Sequence, residues 1–158
     1  MRQNNGVKVL FAVAVTEGAG LIGSIFTVSA ISTWYAALEK PVWNPPNWIF
    51  APVWTALYFF MGIAVFLVWQ RRNANKAVYA ALVMFGVQLV LNVAWSYVFF
   101  GAHAPGFALA EIIALWFSIV GTIILFYKIS RPAAALLFPY IAWVTFAAYL
   151  NYAIFVLN

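Results

Sequence analysis

The chain has 158 residues, of which 67% are hydrophobic and 7% charged, with a formal net charge of +5. Soluble domains carry about 25% charged residues, so the composition excludes an ordinary soluble fold and points to one integral membrane domain over residues 1–158. No cysteine is present, which removes disulfides, thiolate metal sites and thiol nucleophiles.

A helix needs roughly 20 apolar residues to cross the hydrocarbon. Five segments qualify: about Val7–Ser29, Ile49–Trp69, Ala77–Phe100, Phe107–Tyr127 and Ala133–Leu157. None alternates as the strands of a membrane barrel must. The expected fold is therefore all-α, a single bundle of five transmembrane helices. The first apolar stretch is long and no A-x-A-like cleavage site follows it, so no secretory signal is expected.

The first segment carries small residues at every fourth position, Ala12, Thr16, Gly20 and Ser24, a stripe suited to close packing of a neighbouring helix. Glu17 falls near its middle, where an ionised carboxylate costs about 2.5–3.5 kcal/mol. Three roles are open to it: a protonated interhelical hydrogen bond, the wall of a wet cavity, or proton coupling.

The connector from Ala30 to Trp48 is the only long one. The stretch from Trp34 to Thr55 holds four of the eight Trp and four of the seven Pro. So many flat aromatics and stiff prolines between two spans predict an ordered lid over a membrane-buried cavity. At the start of the second span Trp54 and Tyr58 lie one turn apart.

In the third span Gln88, Asn92 and Ser96 share one helical face, flanked by Trp95 and Phe99. Polar groups are costly against lipid, so this face must look into the bundle. It either bonds helices together or supplies polar contacts within a cavity. His103, in the turn that follows, reads as a solvent-exposed residue, and one His cannot make a zinc site. Glu111, early in the fourth span, reads as wetted near the surface. In the fifth span Tyr140, Trp143, Ala147 and Asn151 share a side, and Pro139 predicts a bend because it removes a donor and crowds the carbonyl of Ala135. Trp69 and Tyr127 suit an interfacial belt, whereas Trp54, Trp95 and Trp143 lie deeper.

Seven basic residues (Arg2, Lys8, Arg71, Arg72, Lys76, Lys128 and Arg131) fall on one side of the bundle and Lys40 alone on the other. In a bacterial inner membrane this asymmetry puts the N-terminus in the cytoplasm, with the first loop and the C-terminus on the opposite side. The basic residues are topology signals rather than a nucleic-acid face. No metal cluster, glycine-rich phosphate loop or hydrolytic constellation is visible, so hydrolytic or phosphoryl-transfer chemistry has no support.

Taken together these residues closely resemble the translocator protein family, also called tryptophan-rich sensory proteins or peripheral benzodiazepine receptors. The resemblance rests on Trp34-Tyr35-x-x-Leu38-x-Lys40-Pro41-x-Trp43-x-Pro45-Pro46-x-Trp48, on Pro52-Val53-Trp54-Thr55-x-Leu57-Tyr58-x-x-Met61-Gly62, on Leu91-Asn92-x-x-Trp95-Ser96-x-x-Phe99-Phe100-Gly101, and on Pro139-Tyr140-x-x-Trp143-x-x-Phe146-Ala147-x-x-Leu150-Asn151-Tyr152. It implies a homodimeric five-helix receptor or carrier for tetrapyrroles, such as protoporphyrin IX and haem-related compounds, and for other lipophilic small molecules. By position it implies ligand contacts from Tyr35, Trp54, Trp143, Asn92, Trp95 and Ala147, with Pro41, Trp43 and Pro45 in the lid. Tyr58, Gln88 and Phe99 join the candidate contacts on the residue reading, and Lys40 at the rim is expected to receive porphyrin propionates. The resemblance also implies light-dependent porphyrin degradation in some bacterial members, for which Trp54 and Trp143 would be the catalytic candidates. The porphyrin enters as ligand, and no resident cofactor or metal is expected.

One departure bears on ligand choice. Tyr152 is followed by no Arg or Lys, so the terminal sterol-recognition pattern of animal members is incomplete. Two rival readings remain: a proton-coupled exporter of lipophilic compounds using Glu17, and a partner that binds another membrane protein through its small-residue faces.

Overall fold

A computed structural model describes residues 5–71 and 76–158, so Arg2 and Arg72 of the charge count lie outside the described residues. Helix α1 (Asn5–Ile31) leads into the one-turn helix α2 (Trp34–Ala37), and a single 3-10 turn (Asn47–Ile49) introduces α3 (Phe50–Trp69). Helix α4 (Lys76–Ser96) ends in a π turn (Tyr97–Gly101). Helix α5 (Pro105–Ile129) is followed by the short α6 (Arg131–Ala135) and by α7 (Phe138–Leu157). Among the described residues five stretches are long and apolar enough to cross a membrane: Asn5–Ile31, Asn47–Trp69, Lys76–Gly101, Pro105–Ile129 and Arg131–Leu157. These are the five expected spans, each extended at one or both ends because the capping turns continue the helices.

The bundle is built from paired helices. Helix α1 packs on α3 and α4, α4 on α5, and α5 on α7. Gly62 sets the closest approach of α1 and α3, since a Cβ there would stand 2.6 Å from the Val13 Cα. The Thr16 hydroxyl crosses the same interface and donates to the Tyr58 carbonyl at 2.8 Å. The lower part of the small-residue stripe therefore packs helices, as its spacing predicts.

The bend expected at Pro139 is a full break. Leu136 and Leu137 leave the helix, and the Leu137 amide turns back to the Ala134 carbonyl at 3.1 Å. Pro139 then occupies the first turn of α7, where its missing donor is not needed. Before the break α6 packs on both α3 and α5. Beyond it α7 stays with α5 and makes no contact of comparable extent with α3. That divergence opens the upper half of the bundle.

The π turn was not expected. The Ala102 amide bonds to the Tyr97 carbonyl at 2.7 Å, a five-residue closure. This wide turn lets the adjacent Phe99 and Phe100 both point inward, 2% and 7% exposed. His103 follows with a positive φ of 53°. It is exposed, as expected, but not free: its ring stacks on Trp34 at 4.4 Å. Glu111 departs from expectation. Both carboxyl oxygens are buried without a hydrogen-bond partner, because α5 turns this position toward the packed interior.

Candidate functional site

A cavity of about 600 Å³ lies in the opened half of the bundle, beneath the first loop. Helix α1 offers one face to it, from Glu17 through Gly20, Ser24 and Thr27 to Ile31, at the spacing of successive helical turns. Helix α3 contributes Trp54 and Tyr58. The α4 end and its π turn supply Trp95, Ser96, Phe99 and Phe100, and α7 supplies Trp143, Ala147, Asn151 and Ile154. Leu21, Val28 and Trp48 line the cavity yet remain 69%, 70% and 73% exposed, so it opens sideways between α1 and α3.

The aromatic wall is made of paired rings. Trp54 lies 5.7 Å from Tyr58, and Trp95 stacks on Phe99 at 5.1 Å. Trp143 meets Phe50 edge-on at 6.1 Å. Its indole Nε1 is buried without a hydrogen-bond partner. The Trp95 indole is fixed instead: Nε1 donates to Asn151 Oδ1 at 3.1 Å.

The loop above is fastened at several points. Tyr35 is fully buried and its hydroxyl donates to Asn44 Oδ1 at 2.8 Å. Burial pushes the Tyr35 phenol up to about 12, against a smaller lowering by the Asn44 bond. Trp43 stacks on Tyr149 at 5.0 Å. The Asn158 side chain exchanges two 3.0 Å hydrogen bonds with the Glu39 backbone. The Lys40 ammonium donates to the carbonyls of Tyr35, Ala36 and Leu38 at 2.7, 3.2 and 2.7 Å. It closes off α2 and does not stand at the cavity rim awaiting an anion, as the sequence suggested.

Of the ligand-binding candidates, the structure brings Tyr35, Trp54, Tyr58, Trp95, Phe99, Trp143 and Ala147 onto one wall. Pro41, Trp43, Gln88 and Asn92 lie off it. Pro41 and Trp43 sit in the loop, where the Trp43 ring is spent on Tyr149 and Phe146. Gln88 and Asn92 lie deeper, in a closed chain of hydrogen bonds. Tyr58 donates to Asn92 Oδ1, Asn92 Nδ2 reaches the Tyr140 hydroxyl at 2.8 Å, and that hydroxyl donates to Gln88 Oε1 at 2.8 Å. The polar stripe of α4 thus divides, with Gln88 and Asn92 joining helices and Ser96 facing the cavity. From α1 the sequence offers only Glu17 as a cavity-wall residue, as one of three alternatives; the rest of the α1 wall is missed, although the stripe at Gly20 and Ser24 is its signal. A Cβ on Gly20 would stand 2.5 Å from the Tyr58 ring, so the same small residue that admits that ring also shapes the hollow.

The profile of the TspO/MBR family matches residues 12–157. The chain belongs to that family. This TspO/MBR member is 46% identical over 156 residues to the tryptophan-rich protein TspO of Chlorobaculum tepidum, covering 96% of each chain. It is 40% identical to the translocator protein of Homo sapiens, over 91% of this chain and 85% of that one. The tryptophan-rich sensory protein of Cereibacter sphaeroides is 38% identical over 79% of this chain and 77% of its own. The latter two are named as a translocator and a sensory protein, and the proton-coupled exporter reading finds no support among these relatives.

Proposed function

We propose that this TspO/MBR member is a receptor or carrier that holds a tetrapyrrole, such as protoporphyrin IX, or another flat lipophilic ligand in the cavity beneath the first loop. The observation that carries this reading is the joint wall of Trp54, Trp95, Trp143 and Tyr35 around about 600 Å³. Ligand sites typically run to about 300–1,000 Å³ and are mostly apolar with a few polar groups. Indole and phenol faces stack on a planar pigment in offset geometry. The charge asymmetry supports a cytoplasmic N-terminus, with the loop and the C-terminus on the opposite side. The resemblance supports a homodimer.

The test is an absorbance and tryptophan-fluorescence titration with protoporphyrin IX in neutral detergent. Saturable quenching that weakens in a Trp54→Ala, Trp143→Ala double variant is the expected result. Quenching that rises linearly without saturation, or is identical in that variant, overturns the reading.

A further inference from the structure

The cavity has a deep end and a lid end, and they differ in charge. The lid joins the C-terminal end of α1 to the N-terminal end of α3, so depth increases from Ile31 toward Glu17 on one helix and from Phe50 toward Tyr58 on the other. Glu17 is therefore the deepest wall residue of α1. Among the described residues it is the only charged one on the wall, where no Lys, Arg or His balances it. Among the described residues no hydrogen bond or ion pair reaches its carboxyl.

A carboxyl at this depth is expensive to ionise alone. A ligand cation beside it offsets that cost, because opposite charges attract strongly where water is scarce. A ligand anion adds repulsion to desolvation. We propose that Glu17 is a specificity-determining residue. It selects flat lipophilic ligands that carry a protonated nitrogen at their leading edge, and it turns any carboxylates of a bound ligand toward the lid end. The proposal concerns binding and orientation, not transport. It rests on the cavity being the ligand site.

The test compares two three-ring probes of nearly equal shape in neutral detergent near pH 7.5: proflavine, which is protonated there, and acridine, which is mostly neutral. Tryptophan quenching reads both affinities. The wild-type protein should prefer proflavine by about tenfold, the size of a modest ion pair. Glu17→Gln should collapse that ratio toward unity, and Glu17→Asp should keep most of it. The acridine arm reports whether each variant still forms the cavity. Equal affinities in the wild type, no proflavine binding, or a ratio unchanged in Glu17→Gln would each overturn the assignment. If protoporphyrin IX fails to bind while the charge preference holds, the tetrapyrrole reading falls and Glu17 keeps its role.

Discussion

Asn151 holds Trp95 by its indole nitrogen and, with its other end, grips the backbone at the start of α5, where Nδ2 donates to the Pro105 carbonyl at 2.8 Å. One buried amide thus links the cavity wall to the connector that follows the π turn. Replacing Asn151 by Leu leaves the Trp95 N–H without its partner and takes from the Pro105 carbonyl, which opens the helical ladder of α5, its side-chain donor. Losing the partner of a buried donor costs about 1–3 kcal/mol. The variant should melt at lower temperature and bind protoporphyrin IX more weakly, as followed by circular dichroism and fluorescence titration.

Tyr140 should affect stability more than binding. It is fully buried, bonded to both Asn92 and Gln88, and absent from the cavity wall. Tyr140→Phe strips a donor from Gln88 Oε1 and an acceptor from Asn92 Nδ2. A loss of about 1–3 kcal/mol is expected, with ligand affinity changed much less. A ligand affinity that falls as steeply as stability would contradict this division of labour.

Gly62 should tolerate nothing larger. Its Cβ position is blocked by the Val13 backbone, which has no rotamer to offer. Gly62→Val should separate α1 from α3, lowering stability by about 1–3 kcal/mol or more through overpacking. Thermal melts in detergent read this directly. Gly86, with nothing near its Cβ position, is the control whose Ala variant should be neutral or better.

The loop should loosen in strong alkali. The Tyr35 phenol is pushed up to about 12 in the folded protein against 10 when exposed. Above pH 10 the unfolded loop gives up its proton first, so the contribution of Tyr35 to stability is complete below about pH 10 and is lost as pH rises toward 12. Limited proteolysis of the loop between pH 8 and 11 should accelerate in the wild type. Tyr35→Phe should remove that acceleration and lose the Asn44 bond at every pH.

If illumination destroys a porphyrin in the cavity, Trp54 and Trp143 are two of the four indoles that line it, with Trp48 and Trp95. Trp54→Phe and Trp143→Phe preserve an aromatic face but not an easily oxidised indole. Breakdown under light should fall at least severalfold while dark affinity changes little. Unchanged breakdown in both variants would remove the two tryptophans from the photochemistry.

Much of this organisation is written in local chemistry. Five apolar runs, the density of Trp and Pro after Ala30 and the turn at Pro105 suffice for the bundle and its lid. Seven of the eleven candidate contacts meet on one wall because helical spacing brings Trp54 with Tyr58 and Trp143 with Ala147 onto shared faces. What spacing alone could not decide was depth and partner. Gln88 and Asn92 have the same pattern whether they greet a ligand or two tyrosines, and only the positions of α3 and α7 choose between them. Lys40 looks free along the chain because its three carbonyl partners belong to α2 and to the Leu38 cap that ends it, a helix of one turn that no periodicity announces. The π turn is invisible for a similar reason: Phe99 and Phe100 are adjacent, and an ordinary helix would not turn both inward.

The chain of bonds from Tyr58 through Asn92 and Tyr140 to Gln88 lies under the deep end of the hollow like a stopper. A molecule that settles against Glu17 meets a sealed base, not a passage. Whatever enters must leave by the way it came, past Leu21 and Val28 or from under the loop. By this geometry the hollow is a cup and not a pipe, closed at its base by those four side chains.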